Sequence, residues 1–191
     1  SKIRISYNIQ EIIKNNNAIF TMLPSGKEVI AVYNEIIDKC DSSTIMVDCS
    51  TIDIKSSRLI ADLSKKNGLL TLDAPVSGGV VGAVNGTLTF MIGGDESAFK
   101  KMKPLFEVMG KKAVYCGDSG SGQAAKMCNN MILGISMIGV CESFTLAKKI
   151  GLDLEKLYEV SSNSSGSCWA LNTYCPAPDI GPETPADKKP V

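Results

Sequence analysis

Histidine is absent from all 191 residues. Without it, Ser-His-Asp and Cys-His nucleophilic catalysis are excluded. Any general acid or base must then be Lys, Asp, Glu, Tyr or Cys. A mixed zinc site loses its usual nitrogen ligand too. None of the seven cysteines (Cys40, Cys49, Cys116, Cys128, Cys141, Cys168 and Cys175) forms a Cys-x-x-Cys pair. No metal site or disulfide framework is expected; among apolar neighbours these thiols read as reduced, mostly buried small hydrophobes. Net charge is also missing: 20 basic and 20 acidic residues cancel. That balance gives no reason to expect nucleic acid or an anionic membrane as partner. No apolar run approaches the roughly 20 residues of a bilayer span. Ser1-Lys2-Ile3-Arg4 carries neither an initiating Met nor the apolar stretch of a signal peptide. The reading is an intracellular protein whose first residue need not be the native start. Finally, no glycine group has the Gly-x-Gly-x-x-Gly spacing of a dinucleotide fingerprint.

What is present supports a core, since 44% of the residues are hydrophobic. Ala18 to Leu23 reads as a buried strand closed by Pro24, Ser25 and Gly26. Lys27 to Cys40 has helical spacing through Val29, Ile30, Tyr33 and Ile36. Thr44 to Cys49 is a second strand, and Asp53 to Lys66 a second helix with Asn67-Gly68 at its end. Strands over Leu69 to Leu72, Thr87 to Ile92 and Ala113 to Cys116 follow. Asp95 caps a helix from Glu96 to Met109, which Gly110 ends. Strands alternating with such helices predict an α/β class: a Rossmann-type, mostly parallel sheet, incomplete without the fingerprint unit.

Beyond Gly122 the pattern changes. Ala124 to Ile150 is long and apolar on nearly every side, which predicts a helix buried on every side. Gly151 stops it, and Leu154 to Val160 begins another. From Ser161 the chain is Ser/Asn-rich, and from Pro176 to Pro190 Pro-rich, which reads as loop. The expected division is 1–118, an α/β domain, and 119–191, the start of an all-α domain built on the long helix. That helix needs more partners than one short helix supplies, so a second subunit or further helices are expected. Both ends therefore read as incomplete.

Two motifs carry chemistry. Asp73-Ala74-Pro75-Val76-Ser77-Gly78-Gly79 ends a strand in a small-residue loop. Its backbone N–H groups can close on an anion, although Pro and paired Gly also make ordinary turns. Gly120-Ser121-Gly122-Gln123-Ala124-Ala125-Lys126 opens the long helix, with Lys126 and Asn130 one turn apart on one face. The glycine turn serves an anion or simply an interdomain hinge. Lys126, among apolar neighbours, either snorkels or is held with a lowered pKa. Thr21-Met22-Leu23-Pro24 and Asp48-Cys49-Ser50-Thr51 end strands, as ordinary strand termini also do. Trp169, the sole tryptophan, reads as a packing anchor.

These segments, with Cys128-Asn129-Asn130 and Ser164 to Trp169 followed by Asn172-Thr173-Tyr174, resemble the 3-hydroxyisobutyrate dehydrogenase family, within the 3-hydroxyacid dehydrogenases. The resemblance runs from about Asn17 to about Ile180 and looks truncated at both ends. It implies an NAD-binding domain lacking its N-terminal unit, then the start of a helical dimerisation and substrate domain. It implies oxidation of 3-hydroxyisobutyrate by NAD⁺ to methylmalonate semialdehyde in valine breakdown. The alternatives are a related enzyme such as a tartronate-semialdehyde reductase, or a non-catalytic truncated subunit. By the same resemblance, Lys126 is the acid/base, and Ser77, Gly78, Gly79 and Asn130 bind substrate. Leu23, Pro24 and Thr51 then bind cofactor. A small hydroxy acid and a homo-oligomer through the helical domain are the implied partners, with neither nucleic acid nor membrane. The compartment is mitochondrial in a eukaryote and cytoplasmic in a bacterium. Where relatives often carry Asn after Leu-Pro, this chain has Glu28. The acidic residue that selects NAD over NADP and the later cofactor lysine are absent.

Overall fold

The computed structural model describes residues 5–14 and 16–183. The Ser1–Arg4 segment and the Pro-rich stretch past 183 lie outside the described residues. Contacts divide the chain into two compact units, Ser1–Met127 and Cys128–Val191.

The first unit begins with a short helix α1 (Ile9–Ile13) and strand β1 (Ala18–Thr21). Helix α2 (Gly26–Ile36) follows, extended by a 3-10 turn. Ser25 caps α2 by accepting from Lys27 N, and its hydroxyl donates to the Glu28 carboxylate. Glu28 is thus engaged in starting its own helix. Strand β2 (Ile45–Asp48) leads to α3 (Ile54–Lys66), capped by Asp53 and ended at Gly68 with φ +73°. Strand β3 (Leu70–Asp73) passes through β4 (Val76–Ser77) and α4 (Gly79–Val84) to β5 (Leu88–Gly94). Helix α5 (Glu96–Met109) and β6 (Gly110–Gly117) complete the sheet.

The sheet order is β1-β2-β3-β5-β4, with β6 on the other partner position of β5. The β1–β2, β2–β3 and β5–β6 pairs are parallel, as expected of strands joined by helical crossovers. By contrast β5 runs antiparallel to β3 and β4, since only a short helix separates β3 from β5. In β2 all four residues are buried. Met46 joins the core under α2 and α3, while Ile45 and Val47 join the core under α5. A strand covered on both faces reads as continuous apolar sequence, which explains Ile45-Met46-Val47.

The second unit holds most of α6 (Ser121–Ile150), with α7 (Leu154–Ser162) and α8 (Trp169–Asn172). Its core gathers Val140, Phe144, Ala170, Leu171, Cys175 and Ala177. Contrary to the sequence expectation, α6 is not buried on every side. Met131, Ile132, Ile135 and Ile138 are 60–65% exposed, whereas Val140, Phe144 and Ala147 are buried. The reason is packing supply: α7 and α8 are short and cover one stripe of a 30-residue helix. By length and composition α6 is also long and apolar enough to cross a membrane, against the expectation that no apolar run reaches that length. The cysteines depart from expectation as well. All seven are free, but only Cys49 and Cys175 are buried, and Cys128 and Cys141 are exposed on α6.

Candidate active site

One row of the sheet ends in Thr21, Asp48, Asp73, Gly93 and Gly117, each in register with the next. Thr21, Asp48 and Asp73 close the carboxyl ends of three parallel strands, the edge where open α/β sheets bind ligands.

A buried polar network holds this edge. Asp48 Oδ1 accepts from Thr21 Oγ1 (2.8 Å), Ser50 Oγ (2.6 Å) and Ser50 N (3.2 Å). Ser50 Oγ in turn accepts from Leu23 N at 2.8 Å. The loops after β1 and β2 are thereby fixed to each other. Asp73 ties the start of α6 to β3: Oδ1 accepts from Gly120 N (2.7 Å) and Oδ2 from Gln123 N (2.9 Å). A carboxylate on the first amides of a helix satisfies donors that no carbonyl can reach. This close seating requires glycine. A Cβ on Gly93 would lie 2.7 Å from Asp73 Oδ1 and from Gly122 N. A Cβ on Gly122 would lie 2.7 Å from Asp73 O and Oδ2.

Gln123 joins the last two pieces. It is 2% exposed; its Nε2 donates to Ser50 O (2.7 Å) and its Oε1 accepts from Ile52 N (3.1 Å). Burial raises the pKa of Asp48, with nearby Asp73 adding to it, against the lowering effect of the Ser50 and Thr21 bonds. Burial likewise raises Asp73 against its backbone donors. Asp48 Oδ2 and Thr71 Oγ1 are buried without a hydrogen-bond partner. Both residues line a cavity of about 10 Å³, room for a single water.

Around this frame stand the residues singled out from sequence. Leu23 is half-buried and Pro24 exposed after β1; Thr51 is exposed, between the two Gln123 partners. Ser77 ends β4 half-buried. Gly78 and Gly79, exposed, open α4 with φ +132° and +60°, conformations L side chains rarely adopt. Lys126 lies on the second turn of α6, half-buried, and burial lowers its pKa below 10.5. Hydrogen bonds thus link the segments carrying Leu23, Thr51 and Lys126. Asn130, exposed one turn beyond Lys126, belongs to the second unit. Sequence reasoning missed Gln123, and it read Asp48 and Thr21 only as strand termini. The one available signal was a polar side chain opening a largely apolar helix.

Residues 1–117 match the family model for the NAD binding domain of 6-phosphogluconate dehydrogenase. Residues 120–182 match the model for the NAD-binding region of NADP-dependent 3-hydroxyisobutyrate dehydrogenase. A mitochondrial 3-hydroxyisobutyrate dehydrogenase of Drosophila melanogaster is 47% identical over 182 residues, which cover 93% of this chain and 55% of the fly protein. A probable 3-hydroxyisobutyrate dehydrogenase of Mycobacterium tuberculosis is 43% identical over 177 residues, 93% of this chain and 60% of its own length. Among solved structures, a Mycobacterium tuberculosis 3-hydroxyisobutyrate dehydrogenase with L-serine aligns at a TM-score of 0.90 and 41% identity. That alignment covers 95% of this chain and 62% of the other. The chain therefore spans less than two thirds of the length of these relatives.

Proposed function

Because the chain belongs to the 3-hydroxyisobutyrate dehydrogenase family, we propose that it serves NAD-dependent oxidation of 3-hydroxyisobutyrate to methylmalonate semialdehyde. The observation that carries this reading is the half-buried Lys126 on a helix clamped to the carboxyl edge of the sheet. The residues present fit a nicotinamide cofactor. Leu23, Pro24 and Thr51 offer accessible surface at that edge, while the polar atoms of Thr21 and Ser50 behind them are already engaged. NAD⁺, when bound, accepts the hydride from the hydroxyl-bearing carbon.

The chain's own residues supply the rest. The Ser77 hydroxyl and the amides of Gly78 and Gly79 hold the substrate carboxylate. Lys126 Nζ accepts the hydroxyl proton as the carbonyl forms, and Asn130 orients the same hydroxyl. A lysine whose pKa is lowered by burial is more often neutral, so it can take that proton. The division of labour is a cofactor-binding domain followed by the start of a helical substrate and dimerisation domain, with two copies meeting through α6. The compartment is mitochondrial for a eukaryotic source, where relatives are named mitochondrial, and cytoplasmic for a bacterial one.

The test is NADH formation from NAD⁺ and 3-hydroxyisobutyrate, with L-serine and glycerate, whose oxidation gives tartronate semialdehyde, run in parallel. Lys126→Ala is expected to lower the rate at least a hundredfold, the usual span of one acid/base group. An undiminished rate in that variant overturns the role of Lys126, and a higher rate on a competing substrate reassigns the reaction.

A further inference from the structure

Gln123 has no part in the chemistry just described, yet its side chain is buried and hydrogen-bonded at both ends. It is 2% exposed, and both ends of its amide are used. The partners are main-chain atoms only two residues apart, Ser50 O and Ile52 N, at sequence separations of 73 and 71. Helix capping does not account for this, because Asp73 already accepts from Gly120 N and Gln123 N. An apolar side chain of similar volume would fill the space but orphan a buried donor and acceptor. The bonded segment flanks Thr51, and Lys126 lies three residues along the helix, on a neighbouring position.

We propose that Gln123 is a positioning residue. Its buried amide locks the first turn of α6 to segment 50–52, so that Lys126 and the Thr51 loop keep one fixed separation. A hydride acceptor placed against Thr51 and a proton acceptor on Lys126 must reach the same substrate carbon and hydroxyl. A shift of about an ångström between them costs rate steeply. The two main-chain bonds fix that spacing in both directions along segment 50–52. The inference rests on the acid/base reading of Lys126.

The test needs no turnover. In Gln123→Met, amide exchange at Ile52 is followed together with titration of the Lys126 amine by NMR of labelled lysine. Expected are exchange at least about tenfold faster at Ile52 and a Lys126 titration moved up toward that of an exposed lysine. If Gln123→Met fails to fold, Gln123→Asn is read the same way. It is one methylene short of both partners but keeps its polar group. Faster exchange at Ile52 with an unmoved Lys126 titration overturns the proposal, as does unchanged exchange at Ile52. Failure of the underlying reading looks different: Lys126→Ala would then retain turnover, whatever the Gln123 variants do to the titration.

Discussion

Burial moves Lys126 and Asp48 in opposite directions on the pH scale, because it disfavours the charged form of each. For Lys126 the consequence is kinetic. Its neutral form becomes available below the ordinary lysine value of 10.5. The rate of substrate oxidation is expected to rise with pH and to level off before that value is reached. A pH–rate profile checks this, and a limb that keeps climbing past it removes Lys126 as the base. For Asp48 the consequence is stability. The folded state keeps a proton that the unfolded chain releases above 3.8, so this contribution is full below 3.8 and is lost as pH rises through the raised folded value. Asp48→Asn does not titrate, and its amide oxygen can still accept from Thr21 and Ser50. Relative to the parent, the variant is expected to gain stability as pH rises across that window. Urea midpoints at about pH 3.5 and about pH 7 measure the difference. An equal difference at both would show that Asp48 is ionised in the fold as it is in the unfolded chain.

The elements differ in how local their causes are. Helix α5 is set by Asp95, which accepts from Ser97 N (2.8 Å) and Ala98 N (3.0 Å). Asp95→Ala is expected to cost about 1 kcal/mol in denaturant titration. Such signals lie within three residues of their target, which is why α2, α3, α5 and the strands β2, β3 and β5 were legible in sequence. Helix α4 was not. Gly79-Val80-Val81-Gly82-Ala83-Val84 has two glycines and three β-branched residues, all poor helix formers, and so carries no helical signal. Strand β4 and helices α1 and α8 are too short to show a period. The start of α6 was legible as a helix, but not as the hub of the site. Its ties to Asp73, Ser50 and Ile52 span 47 to 73 residues, a distance over which no pattern in the chain speaks. Gly122 exposes how tight that seating is. Its Cβ would press on the carbonyls of Met91 and Asp73, so Gly122→Ala is expected to destabilise by about 3 kcal/mol. Gly134 on the same helix meets nothing within 4 Å, and Gly134→Ala serves as the control.

At the scale of the whole molecule, the apolar content that sequence counted as core is divided unequally. The first unit places its apolar residues in two clusters on opposite faces of one sheet. Helix α6, most of which lies in the second unit, leaves Met127, Met131, Ile135 and Ile138 each about 60% exposed. Their spacing of four, four and three residues puts them on one face of α6. Covering the exposed part of each removes apolar area from water at about 25 cal/mol per Å², so a row of four favours association. The proposed homo-oligomer uses this face, and sedimentation is expected to show mass rising with concentration. Ile135→Lys with Ile138→Lys should return the chain to a monomer while circular dichroism keeps its helix signal, since both sites are exposed within one chain. A wild-type chain that stays monomeric but floats with lipid vesicles would assign the same face to a membrane instead, the other environment for which α6 is long and apolar enough.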